Sequence, residues 1–147
     1  NDLLARDAKL GGILIEVFGD VGGPCRAVIG VGINVDLSAV DMPALDQPLI
    51  DLFSLGLRRG RRNDIAVALL NGLGIAVADF DRDGFAGFAT RWQRFDCLAG
   101  RPVEVITGNG RIPGVAEGID PAGGLCVRTP SGLQVFRSGE VSVRGAT

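Results

Sequence analysis

Histidine and tyrosine are absent from the 147 residues, and methionine and tryptophan occur once each. Without histidine there is no His-based triad, no histidine general base and no ordinary catalytic zinc site. Cysteine is sparse: Cys25, Cys97 and Cys126 lie far apart, form no CxxC and are odd in number. That pattern points away from a disulfide framework and towards a reduced, cytoplasmic protein whose thiols act as small buried hydrophobes. The longest stretch free of charge, Ile65 to Ala78, is interrupted by Asn71, Gly72 and Gly74. It reads as too short and too broken to span a bilayer. The opening residues carry Asp2, Arg6, Asp7 and Lys9, which no signal peptide would, and the missing initiator Met suggests a fragment or a processed chain.

Lysine is the scarcest charge. Of 15 basic residues only Lys9 is lysine; the rest are arginine. The two cations differ in kind: lysine offers a compact point charge with three rotatable donors, arginine a wide planar fork. A site that needs one small cation between two anionic groups favours lysine, whereas an arginine-biased composition could also leave a single surface lysine by chance. The net charge of −2 disfavours a general nucleic-acid binder. A hydrophobic content of 46% is that of a folded protein.

Three regions follow one another. Gly12 to Phe18 and Arg26 to Val35 read as two apolar strands joined by a Gly/Pro turn, an antiparallel hairpin whose first strand should be covered on both faces. Asn63 or Asp64 can cap a helix through Ile65, Leu69, Leu73, Ala76, Val77 and Phe80. A turn at Asp81–Gly84 leads to a shorter helix with Phe85, Phe88 and Trp92 on one side, a spacing that reads as core. The segment from Pro43 to Leu55 reads as irregular or partly helical. From about Leu98 the pattern becomes five short strands with Gly-rich turns: Pro102–Ile106, Gly114–Ile119, Leu125–Arg128, Leu133–Phe136 and Val141–Arg144. A small barrel is the expected outcome, with a domain boundary near Phe95–Gly100.

Several groups of residues could carry chemistry. In Gly30-Val31-Gly32-Ile33-Asn34, glycines at alternate strand positions bare one face, and the Asn34 amide offers donor and acceptor beside it. Close packing of a helix would explain the same glycines. The pattern is neither a P-loop nor a dinucleotide fingerprint. Asn1-Asp2 could hold Mg²⁺ or a purine edge, although a turn is the commoner use. Arg58-Arg59-Gly60-Arg61-Arg62 could grip phosphate but reads more simply as a solvated loop.

Taken in order, Asn1-Asp2-Leu3-Leu4, Lys9-Leu10-Gly11-Gly12-Ile13 and Gly30-Val31-Gly32-Ile33-Asn34 resemble the second half of a biotin protein ligase catalytic domain. That family carries K-W-P-N-D, then K-[LA]-[GA]-G-[IL], then G-[IV]-G-[IL]-N. The resemblance extends over nearly the whole chain, through two helices and a C-terminal barrel. It implies an α+β fold: a partial mixed or antiparallel sheet with two helices from a class II synthetase-like domain (residues 1–96), then an SH3-like barrel (97–147). It implies an ATP- and Mg²⁺-dependent ligase that makes biotinoyl-adenylate and passes biotin to a lysine of a biotin carboxyl carrier protein. Lys9 then matches the family's catalytic, biotin-contacting lysine. Gly11 and Gly12 match the biotin side, and Asn1, Asp2, Gly30, Gly32 and Asn34 the nucleotide side, with Asp2 towards Mg²⁺. The family's Gly/Arg-rich biotin loop and any DNA-binding segment would lie upstream, so this polypeptide alone is expected to be inactive and to bind no operator. A homodimer is compatible with its open sheet edges. The competing reading is a non-catalytic dimerisation, sensor or SH3-like binding module.

Overall fold

The computed structural model describes residues 1–19, 24–40, 47–108, 110–137 and 142–145. The chain divides into two compact units, Asn1–Leu69 and Leu70–Thr147. Among the described residues the secondary structure is two helices and two antiparallel sheets, an α+β arrangement.

The first unit holds strands β1 (Asp2–Ala5), β2 (Ala8–Gly19) and β3 (Cys25–Ile33), in that spatial order. The expected hairpin is β2–β3, paired from Gly11↔Ile33 to Gly19↔Cys25; most of its connecting turn, residues 20–23, lies outside the described residues. β1 is an addition. Asn1-Asp2 leads into a strand, and Ala5 and Ala8 close a two-residue hairpin whose central residues, Arg6 and Asp7, have φ of 52° and 59°. Positive φ at both central positions matches the twist of the flanking strands, yet neither residue is the Asn or Gly that signals such a turn.

β2 is not covered on both faces as its apolar run suggested. Leu14, Ile15, Val17 and Phe18 are 56–65% exposed. A continuous apolar run shows that a strand can be buried; burial also requires a second layer against each face.

α1 (Arg62–Asp83) begins before Asn63, so Asn63 and Asp64 occupy its first turn instead of capping it. Arg61 pairs with Asp64 beside this end. The helix runs unbroken through Gly72 and Gly74 and ends at Gly84, whose φ of 62° glycine adopts without a Cβ penalty. At 22 residues, with a window of mean hydropathy 1.3, it is long and apolar enough to cross a bilayer by length and composition, contrary to the reading from its uncharged stretch alone. Core helices of soluble proteins meet the same criterion. α2 (Ala86–Gln93) follows. No residue of either helix is buried; Phe80 is 55% and Trp92 37% exposed, so the aromatic stripe is not core here. Phe80 and Phe88 meet in a tilted pair 6.2 Å apart. The cysteines differ from expectation too: Cys25 and Cys97 are exposed and Cys126 is half-buried.

All five expected C-terminal strands form: β4 (Pro102–Thr107), β5 (Gly110–Ile119), β6 (Leu125–Thr129), β7 (Gly132–Phe136) and β8 (Ser142–Gly145). They make one antiparallel sheet in the order β7-β6-β5-β4-β8. No pairing between β7 and β8 closes it among the described residues. Its core is Val103, Val105, Ala116 and Val127, flanked by Leu98, Ile112, Leu125, Phe136 and Val143. Alternate residues of each strand supply this layer. The Pro121–Gly124 turn is fixed by Asp120, whose carboxylate accepts from the N–H groups of Ala122 (2.9 Å) and Gly124 (2.7 Å).

Candidate functional site

Six of the residues singled out in the sequence line one open groove of about 420 Å³ in the first unit: Asn1, Asp2, Lys9, Gly12, Gly30 and Gly32. Ile13, Leu14 and Val31 complete its lining and were not anticipated. The pairing register explains the assembly. Gly12 lies opposite Gly32, and Leu14 opposite Gly30, so these four residues share one face of the β2–β3 ribbon. β1 brings Asp2 opposite Gly12. Three glycines thus leave bare backbone on the face that carries the groove.

The glycines are not equivalent. A Cβ on Gly32 would meet nothing within 4 Å, and one on Gly30 would find Leu14 O at 3.6 Å. A Cβ on Gly12 would project among Asn1 O (3.6 Å), Asp2 Oδ1 (3.7 Å) and Lys9 Cε (3.9 Å). Gly11 is different: it is buried, and its Cβ would fall on the Gly32 carbonyl oxygen. Gly11 lets two strands close up, whereas Gly12, Gly30 and Gly32 keep the groove open.

Within the groove, Lys9 Nζ lies 2.8 Å from Asp2 Oδ1, with the side chains 30% and 40% exposed. A pair this wet is worth about 1 kcal/mol at most. Asp2 therefore steadies the ammonium without committing it, and a stronger anion could take its place. Lys9's backbone is held firmly: its N–H donates to Pro48 O (2.9 Å) and its carbonyl accepts from Ile50 N–H (3.0 Å), a parallel bridge centred on Leu49. Asn34 does not line the groove. Its amide Nδ2 donates to the carbonyls of Lys9 (3.2 Å) and Ile50 (3.1 Å). No pattern in the sequence announced this junction, because it joins segments 25 and 16 residues apart.

Next along the chain, buried Asp51 accepts from Leu37 N–H (2.7 Å) and Ser54 N–H (2.6 Å). Hydrogen bonds from the Ser54 and then the Leu37 amide hold its carboxyl below the ordinary range. The arginine run forms a second, smaller hollow of about 180 Å³ with Asp36 and Phe53. There Arg59 sits 4.6 Å above the Phe53 ring and 3.7 Å from Asp36. Among the described residues no group of three His, Cys, Asp or Glu side chains could hold a metal ion. A site with one carboxylate suits Mg²⁺, which is commonly held by one or two carboxylates together with substrate phosphates and water.

Residues 99–144 match the family model of the biotin protein ligase C-terminal domain. Over 146 residues the chain is 36% identical to the bifunctional ligase/repressor BirA of Escherichia coli K12, covering 99% of this chain and 45% of BirA. It is 32% identical to the biotin–[acetyl-CoA-carboxylase] ligase of Paracoccus denitrificans, covering 61% of that protein. The chain thus spans about half the length of the curated relatives it matches. The biotin protein ligase of Aquifex aeolicus has the same fold over 99% of this chain and 63% of its own, with a TM-score of 0.84 and 23% identity. Its complex with biotin and ATP superposes with a TM-score of 0.82 at 24% identity, covering 99% of this chain and 60% of that one. In sequence the chain is similar to the C-terminal part of biotin protein ligases, and in fold to the corresponding part of a solved one.

Proposed function

We propose that this chain supplies the lysine and the nucleotide-side groove of an ATP-dependent biotin protein ligase. The observation that carries the reading is the placement of the only lysine, Lys9, over a floor of Gly12, Gly30 and Gly32 beside Asp2. In the first step a biotin carboxylate oxygen attacks the α-phosphorus of ATP and pyrophosphate leaves, giving biotinoyl-adenylate. Two anions must meet, and negative charge grows on the phosphoryl oxygens. An ammonium between them opposes both effects, the electrostatic stabilisation on which such transfers chiefly depend. Lys9 leaves its weak contact with Asp2 for these anions, and bare glycine backbone lets the ligand lie close. Asp2 would hold Mg²⁺ together with the nucleotide phosphates, shielding their charge. Asn1 flanks the same end of the groove. In the second step the lysine amine of a biotin carboxyl carrier protein attacks the acyl carbon, and AMP leaves.

The same reading takes residues 1–96 as the end of a class II synthetase-like catalytic domain and 97–147 as an SH3-like barrel. It places the protein in the cytoplasm. Biotin-dependent exchange of pyrophosphate into ATP tests the role of Lys9 in the full-length protein. Lys9→Arg keeps the charge but not its shape, and exchange should fall at least a hundredfold. A non-catalytic dimerisation or sensor module is favoured by the exposed apolar strands β2 and β3. Wild-type exchange in Lys9→Arg would refute the role given to Lys9, whereas absence of exchange in the wild-type full-length protein would support that alternative.

A further inference from the structure

We infer that the hollow formed by Arg58, Arg59, Arg61 and Arg62 is a second anion site, one that takes a small phosphate anion such as pyrophosphate. It shares no residue with the groove around Lys9, and the inference does not depend on the role proposed for that lysine.

The sequence left open whether the four arginines splay into solvent or converge. They converge on one hollow of about 180 Å³, against Phe53 and Leu57. The run turns at Arg59-Gly60. Gly60 has a φ of 79° and open space where a Cβ would stand, so it serves this turn by its left-handed backbone. Both ends of the run are anchored: Leu57 N–H donates to Leu52 O (2.9 Å), and Arg61 O accepts from Ile65 N–H (3.1 Å). Phe53 is fixed as well, its N–H donating to Val35 O (3.0 Å).

Three of the four guanidiniums keep donors to spare. Arg61 is paired with Asp64. Arg59 lies 3.7 Å from Asp36, an ion pair too long for a hydrogen bond, and Asp36 itself accepts from Ser38 N–H (3.0 Å). Among the described residues Arg58 and Arg62 have no side-chain partner. Like charges held together repel, and a dianion relieves the repulsion. Guanidinium forks match the oxygens of phosphate, and a phosphate brings more charge than the Asp36 carboxylate, so it takes over Arg59. The hollow is smaller than the roughly 300–1,000 Å³ of sites for drug-sized ligands, which favours phosphate or diphosphate over a nucleotide. The chain's net charge of −2 disfavours a nucleic-acid backbone.

The test is titration of the full-length protein with sodium pyrophosphate at constant ionic strength, following the arginine Nε–H signals by NMR. Those of Arg58, Arg59 and Arg62 should shift together and saturate, while sodium chloride at the same ionic strength moves none of them. Asp36→Asn removes the competing carboxylate and should tighten binding at least twofold. Arg58→Ala combined with Arg62→Ala should weaken it at least tenfold, read on the Arg59 signal. Shifts that never saturate, or that chloride reproduces, would show general screening and overturn the site, as would unchanged affinity in the double variant. A short DNA duplex that competes for the same signals more tightly than pyrophosphate would make the partner a nucleic-acid backbone and overturn the assignment. Should the double variant fail to fold, saturation in wild type and tightening in Asp36→Asn decide. The hollow is read by its own arginine signals and the Lys9 groove by biotin-dependent exchange, so the two proposals fail separately.

Discussion

Replacing Gly11 by alanine should cost stability out of proportion to one methyl group. The added Cβ would sit less than 3.0 Å from the Gly32 carbonyl oxygen, with Ile33 Cδ1 at 3.1 Å and Gly32 C at 3.2 Å. Two of the three obstacles are backbone, which cannot swing aside as a side-chain tip can. β2 and β3 would have to separate at Gly11↔Ile33, where their pairing ends. Overpacking in a well-packed region costs about 1–3 kcal/mol, and a clash with a paired strand's backbone belongs at the upper end. A loss of about 3 kcal/mol is more than a hundredfold in the folding equilibrium and a large share of a typical domain's 5–15 kcal/mol. Gly32→Ala is the control, because its Cβ meets nothing within 4 Å; its stability should stay within about 0.5 kcal/mol of wild type. Urea unfolding followed by circular dichroism measures both. Equal midpoints for Gly11→Ala and wild type would refute the claim that Gly11 is there for strand contact. Gly32→Ala should instead weaken ligand binding, because its methyl group enters the groove.

Acid should loosen the loop held by Asp51. Its carboxyl titrates below the ordinary value of 3.8, so its contribution is complete above that value and is lost as the pH falls through the lower, folded one. The stability difference between wild type and Asp51→Asn should therefore shrink as the pH drops below 3.8; a gap that stays constant with pH would contradict this. At the β1–β2 turn, Arg6 occupies a left-handed conformation that side chains other than Asn and Gly resist. Arg6→Asn should stabilise by about 0.5–1 kcal/mol, visible as a rise of a few degrees in Tm, and a fall would show that the Arg6 side chain matters more than its backbone.

Strands and helices were legible wherever one segment's own pattern sufficed. The β2–β3 hairpin, both helices and all five C-terminal strands could be read from apolar runs and Gly-rich turns. β1 could not, because four residues closed by Arg6-Asp7 carry neither length nor turn signal. The groove was legible in its parts: alternation put Gly30 and Gly32 on one face, and the resemblance joined them to Lys9 and Asp2. What escaped depends on register and on distant partners. Only the pairing of β2 with β3 shows that Gly11 faces a carbonyl while Gly12 faces the groove. Only the segment at Pro48–Ile50 shows that the Asn34 amide nitrogen is occupied by backbone. Burial escaped for a related reason: the apolar faces of β2, α1 and α2 are plain in the sequence, but whether a face is covered depends on another surface.

The central claim is that Lys9 stands between two substrate anions. Because Lys9 is the only lysine in these 147 residues, amine-selective labelling resolved by peptide mass reports on Lys9 in the peptide that carries it. With biotin and ATP together, the labelling rate of Lys9 in the full-length protein should fall at least tenfold, and with either ligand alone by less. An unchanged rate under conditions where both ligands are bound would contradict the account.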